Sequence, residues 1–208
     1  MANDAAQQPQ IYLISPPEIE LIAFPDQLAA CLDAHQIACF RLAMASRDED
    51  HIARAADTLR AVTDARDVAL VIESHVQLVT RLGLDGVHLT DAARSVRQVR
   101  KDLGEDAIVG TFCGNSSHDG MTAGELGADY VAFGPVGQTA LGDGRHAPLD
   151  LFQWWSQMIE VPVVAEGDLD AELMTQLAPH TDFFGIGEEI WNSENPNVAL
   201  KALSQAIG

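Results

Sequence analysis

The residues best equipped for chemistry in this 208-residue chain stand at the ends of short apolar runs. Arg41 lies near the end of the run 37–42. Its planar guanidinium can hold a phosphate or carboxylate through two parallel N–H donors, or pair with Glu73 just beyond the next run. His88 stands in the run 86–89; a neutral imidazole there can hydrogen-bond a ligand, exchange a proton near neutral pH, or orient a neighbour in a wall. Cys113 follows 108–112 and is either a nucleophile or inert packing. Glu73 and Asp91 are the carboxylates nearest these groups. Such oxygens suit a hard divalent cation, although isolated acids are mostly just solvated.

These side chains can act together only if the runs that carry them are brought side by side. The runs at 11–15, 37–42, 68–72, 86–89, 108–112, 130–133, 161–165 and 183–186 read as buried strands. Segments with helical period separate them, at 24–33, 47–64, 76–82, 93–103, 120–126, 149–158, 171–177 and 198–207. In the first of these Leu28, Cys31 and Leu32 share a face, and in the second Ile52, Ala55, Ala56 and Leu59 do. Gly83 and Gly104 are natural helix stops. The run 68–72 is wholly apolar, as a strand covered on both faces must be. Segment 134–148, dense in glycine and proline, is the longest loop. Trp154 and Trp155 fall on a helix and are expected to pack against the strands.

Such alternation specifies a parallel sheet with helices outside it. An open doubly wound sheet alternates in the same way, but eight units favour closure, because side chains can just fill an eight-stranded interior. The expected fold is therefore α/β, a single (β/α)8 TIM barrel over 11–208 behind a disordered polar tail over 1–10. Arg41, Glu73, His88 and Cys113 would then share the carboxyl-terminal mouth, where such barrels bind ligands.

Composition narrows the partners. Hydrophobic residues make up 47% and charged residues 21%, ordinary for a globular chain. A net charge of −19 repels nucleic acid and anionic membranes, which leaves a small molecule as the expected partner and permits a homodimer. Three cysteines at unpaired spacing suggest neither a disulfide framework nor zinc. The start of the chain lacks the charged-then-apolar order of a secretory signal, so a cytoplasmic location is expected.

Three motifs then narrow the fold to a family. Gly83-Leu-Asp-Gly-Val-His-Leu89, Gly127-Ala-Asp-Tyr-Val-Ala-Phe-Gly-Pro135 and Val161-Pro-Val-Val-Ala-Glu-Gly167 together resemble the thiamine-phosphate synthase and TenI family. The resemblance implies a transferase of thiamine biosynthesis, joining a pyrimidine diphosphate to a thiazole phosphate with magnesium, or a TenI-like isomerase. It places Arg41 and His88 in catalytic positions. Glu73, Cys113, Asn115, Gly134, Thr139, Gly167 and Glu188 fall at substrate-binding positions.

Several family residues are replaced. The Gln-x-Arg-x-Lys signature is here Cys39-Phe-Arg-Leu-Ala43. The two metal carboxylates correspond to Ser74 and Ala93, so no metal ligand is assigned and no cofactor is expected, although Glu73 and Asp91 leave room for a rebuilt magnesium site. Thr139 survives without its lysine, and Gly-Gly becomes Gly167-Asp168. Glycines let backbone amides approach a phosphate. Glu166, Asp168 and Glu188 bring charge to that nest, or else turn to solvent; two like charges about 4 Å apart repel by roughly 4 kcal/mol at an effective dielectric of about 20. Three readings follow: a thiamine-biosynthetic enzyme, a pseudoenzyme binding a neutral or cationic thiamine-related molecule, and a non-catalytic scaffold barrel.

Overall fold

The computed structural model describes residues 8–139, 141, 143 and 145–207. Residues 1–7 of the expected tail lie outside the described residues, and Gln10 already belongs to the first strand. Strands and helices alternate as β1 (Gln10–Ile14), α1 (Phe24–Ala34), β2 (Ile37–Leu42), α2 (Glu49–Asp64), β3 (Ala69–Glu73) and α3 (Val76–Leu82). They continue as β4 (Gly86–Leu89), α4 (Val96–Leu103), β5 (Ile108–Phe112), α5 (Ser117–Glu125), β6 (Tyr130–Phe133) and α6 (Leu149–Met158). The last elements are β7 (Val163–Glu166), α7 (Ala171–Leu177), a 3-10 turn (Ala178–His180), β8 (Phe183–Ile186), α8 (Glu188–Trp191) and α9 (Pro196–Ser204). β1 to β8 close into one parallel barrel, with β8 returning to β1.

Boundaries move where capping or proline chemistry outweighs hydrophobic period. α2 starts at Glu49 because the Asp48 carboxylate accepts the His51 amide at 3.1 Å. α5 starts at Ser117 because the Ser116 hydroxyl accepts the Asp119 amide at 3.1 Å, a polar cap that an apolar pattern cannot reveal. β7 starts at Val163, just after Pro162, which has no N–H to donate to a ladder. The four-residue helix α8 is too short to leave a period of its own.

Each strand packs outward on the helices through large apolar side chains such as Phe40, Leu70, Ile72, Val131 and Phe184, all fully buried. Trp155 joins this shell edge-on to Phe133, and its indole donates to the Val161 carbonyl at 2.8 Å. Inside the barrel a separate cluster gathers Tyr12, Cys39, Val71, Tyr130, Ala132 and Val164. Glycine makes that interior possible: a Cβ on Gly110 would lie 1.9 Å from the Tyr130 ring. Among the described residues, no helix is long and apolar enough to cross a membrane.

Candidate active site at the carboxyl end of the barrel

Polar side chains link up inside the barrel. The Arg41 Nη2 donates to Glu166 Oε2 at 2.8 Å, and Nη1 lies 2.7 Å from His88 Nε2. Arginine can only donate, so His88 accepts at Nε2 and its ring proton sits on Nδ1. That Nδ1–H points at the Tyr130 hydroxyl, 2.9 Å away, which in turn meets the Tyr12 hydroxyl at 2.6 Å. Glu73 completes the Arg41 surroundings at 3.9 Å from Nε. Arg41, His88 and Glu166 are all buried.

Burial dictates the charge states. Desolvation first, then the Arg41 charge, hold the His88 pKa well below the ordinary histidine value, so the ring is neutral. Burial also lifts both tyrosines well above the usual phenol range. Desolvation likewise raises the Glu166 pKa, against the pull of Arg41. On Arg41, desolvation pulls downward, but the Glu166 carboxylate first and Glu73 after it offset that pull and keep the guanidinium charged.

Above this chain a cavity of about 330 Å³ opens between the ends of β1, β7 and β8. Arg41, Thr139, Glu166, Gly167 and Glu188 line it, so it gathers four of the expected site residues together with Glu166. Gly167 (φ +95°) and Asp168 (φ +57°) both adopt left-handed backbone, turning the chain sharply after β7. The three acids around this turn differ in fate. Glu166 turns inward to Arg41, the Asp168 carboxylate accepts the Gln138 backbone amide at 2.9 Å, and the Glu188 side chain is exposed.

Cys113 and Asn115 line a different cavity, of about 650 Å³, beside Asp91, Arg94 and Arg145. Burial, then Asp119, push the Cys113 thiol up to about 12, so it is a protonated thiol at neutral pH. The Asn115 amide reaches the His146 carbonyl at 3.3 Å. Gly134 lines neither cavity; its amide donates to the Gly114 carbonyl at 3.0 Å, and a Cβ there would lie 2.3 Å from the Glu166 carbonyl oxygen. His88 is likewise interior rather than part of either cavity wall.

The magnesium that the resemblance implies does not fit the residues present. Ser74 and Ala93 offer no carboxylate. Of the remaining acids, Glu73 faces Arg41, while Asp91 accepts the Ser95 hydroxyl at 2.5 Å on one oxygen. Among the described residues no three His, Cys, Asp or Glu side chains converge as metal donors.

The thiamine monophosphate synthase family model matches residues 11–186. The chain belongs to that family. It is 40% identical over 185 residues to the thiamine-phosphate synthase of Rhodospirillum centenum, covering 88% of this chain and 89% of that one. It is 36% identical over 204 residues to the thiamine-phosphate synthase of Erythrobacter litoralis, covering 95% of each. Among solved structures, a thiamine phosphate pyrophosphorylase from Pyrococcus furiosus superposes with a TM-score of 0.80 over 96% of this chain and 97% of that one. At 18% identity, that likeness speaks for the fold alone. A 3-hexulose-6-phosphate synthase shares the same barrel at a TM-score of 0.69 and 14% identity.

Three polar residues of this family barrel are not legible in the sequence as members of the site. Tyr12 and Tyr130 read as ordinary strand residues, yet their hydroxyls extend the Arg41–His88 chain across the interior. Glu189, one residue beyond the expected Glu188, reaches back to two backbone amides, Gly187 at 2.7 Å and Leu169 at 3.1 Å. The only sequence signal was a run of acids at the start of a helix too short to detect.

Proposed function

We propose that this is a divergent family barrel that binds a small thiazole- or pyrimidine-type molecule at its mouth and does not carry out the magnesium-dependent condensation. The observation that carries the reading is the change of donor chemistry at the rim: Ser74 and Ala93 stand where the resemblance places metal carboxylates, Glu73 lies 3.9 Å from Arg41 Nε, and Asp91, with one oxygen on Ser95, has only Oδ1 without a partner among the described residues. Hard divalent cations require several oxygen donors converging at one point. The cavity beside Arg41 supports the binding half of the proposal, because it is a concave, mostly polar site in which Ile14 and Leu141 stand beside convergent hydrogen-bonding groups.

Purified protein supplied with the pyrimidine diphosphate, the thiazole phosphate and magnesium is expected to yield no thiamine phosphate. Turnover that a chelator abolishes would overturn that half. Thiamine or the thiazole alcohol is expected to raise the melting temperature. No shift with either would replace the ligand-binding reading with that of a scaffold.

A further inference from the structure

We propose that Tyr130 is a positioning residue for the ligand site: acting through His88, it fixes the Arg41 guanidinium that lines the cavity at the carboxyl end of the barrel. The inference rests on that cavity being the binding site, as proposed above. Tyr130 itself lines no part of it.

The arrangement starts in the strand register. His88 on β4, Gly110 on β5 and Tyr130 on β6 stand opposite one another across neighbouring strands. A side chain on the middle strand would separate the outer two, since a Cβ on Gly110 would collide with Cζ of the Tyr130 ring. With glycine there, the tyrosine reaches across β5 and its hydroxyl comes within 2.9 Å of His88 Nδ1. The two rings lie stacked, with centroids 5.7 Å apart.

Interiors of such barrels are ordinarily filled by branched hydrocarbon side chains. Phenylalanine would fill the volume of Tyr130 without a hydroxyl to desolvate, so packing alone does not account for the polar group. The hydroxyl oxygen accepts the Nδ1 proton of a ring that burial keeps neutral. In that tautomer Nε2 carries a lone pair, which accepts Arg41 Nη1 at 2.7 Å. The other tautomer would point an N–H at the guanidinium, which has only donors, and Nη1 would be released. Tyr130 thus favours the tautomer on one edge of the ring that Arg41 uses on the other.

The consequence lies at the cavity. Glu166 holds Nη2 at 2.8 Å, but one contact leaves the guanidinium plane free to turn about it. His88 supplies the second fixed point. With both contacts made, the buried Nε has no hydrogen-bond partner among the described residues, and Glu73 Oε2 stays 3.9 Å from it. The N–H donors that His88 and Glu166 leave unused are held in place for an acceptor atom on the ligand.

The test compares the full chain as wild type, Tyr130→Phe, Arg41→Lys and the double variant, by calorimetric titration with thiamine and with the thiazole alcohol, and by NMR of the His88 ring nitrogens. Tyr130→Phe should weaken binding of these probes about tenfold, the size expected when a hydrogen bond to a charged group is lost. Arg41→Lys keeps the charge beside Glu166 without the planar fork, so adding Tyr130→Phe to it should weaken binding little further. The ring nitrogens should show the Nδ1–H tautomer in wild type and a gain of the Nε2–H tautomer in Tyr130→Phe. Unchanged affinity in Tyr130→Phe, or an equal loss with Arg41 already replaced, would overturn the inference, because a hydroxyl that serves only barrel packing acts regardless of Arg41. Should Tyr130→Phe fail to fold, fluorotyrosine in place of Tyr12 and Tyr130, the two tyrosines of the sequence, weakens the hydroxyl as an acceptor and should move tautomer and affinity in the same direction. If no form binds either probe, the ligand-binding reading falls, and the ring nitrogens still decide the hold on Arg41: a tautomer unmoved by Tyr130→Phe overturns it, and a shifted one sustains it.

Discussion

The two faces of the same eight strands are built on opposite principles. Outward, Phe40, Leu70, Ile72, Val131 and Phe184 meet the helices with hydrocarbon alone. Inward, Arg41, His88, Tyr130 and Tyr12 sit in one hydrogen-bonded chain anchored on Glu166. The outer face is held by area and volume, so its errors are local and graded. The inner face is held by pairing, where losing one member leaves another charge or polar atom buried without a partner. A barrel can therefore keep its shape by one rule while its interior is conditioned for a ligand by the other.

The largest expected break in that contrast comes from Glu166. Glu166→Ala leaves the Arg41 guanidinium buried beside a vacated partner and should cost about 3–5 kcal/mol in urea unfolding. Ile72→Val, on the outer face, should cost only about 0.5–1.5 kcal/mol. Equal losses would mean that the inner ion pair contributes no more than packing. Next in size is Gly110→Ala. The new methyl would meet the Tyr130 ring, and forcing it in should cost about 1–3 kcal/mol by thermal unfolding, with near-ultraviolet dichroism reporting a displaced tyrosine.

The smallest effect is a pH slope. The folded pKa of His88 lies below its unfolded value, so as pH falls below about 6.5 the unfolded chain takes up a proton that the folded chain refuses. Stability present above that pH is lost below it. Glu166 runs the other way, because its folded pKa is raised. Its contribution is present at acid pH and lost as pH rises through the folded value. Between pH 7 and 5 the denaturation midpoint of wild type should lose more, relative to its value at pH 7, than that of His88→Gln. An unchanged slope would show that His88 does not carry the effect.

How much could be read in advance follows the same division. Outer-face residues announce themselves as apolar runs, because burial between strand and helix demands hydrocarbon at nearly every position. The ends of α2 and α5 shift by only a few residues, since Asp48 and Ser116 act through hydrogen bonds that hydrophobic period does not register. Arg41, Thr139, Gly167 and Glu188 are visible as candidates and do line one cavity. Cys113 and Asn115 look equivalent to them in the sequence, yet they line the second cavity. Only barrel closure assigns each strand end to one side of the mouth or the other.

By itself the sequence determined the class of fold and the family, because alternation of period and three motifs are local properties of the chain. It also showed acidic residues at the strand ends where the resemblance implies a phosphate nest, with their directions left open. Only the tertiary structure decided where each carboxylate points: Glu166 inward to Arg41, Asp168 to the Gln138 amide, Glu188 to solvent and Glu189 onto the Gly187 and Leu169 amides. The physical reason is that a side chain's direction depends on which donors the closed barrel brings within about 3 Å of it. Those donors come from strands and loops far apart in the chain.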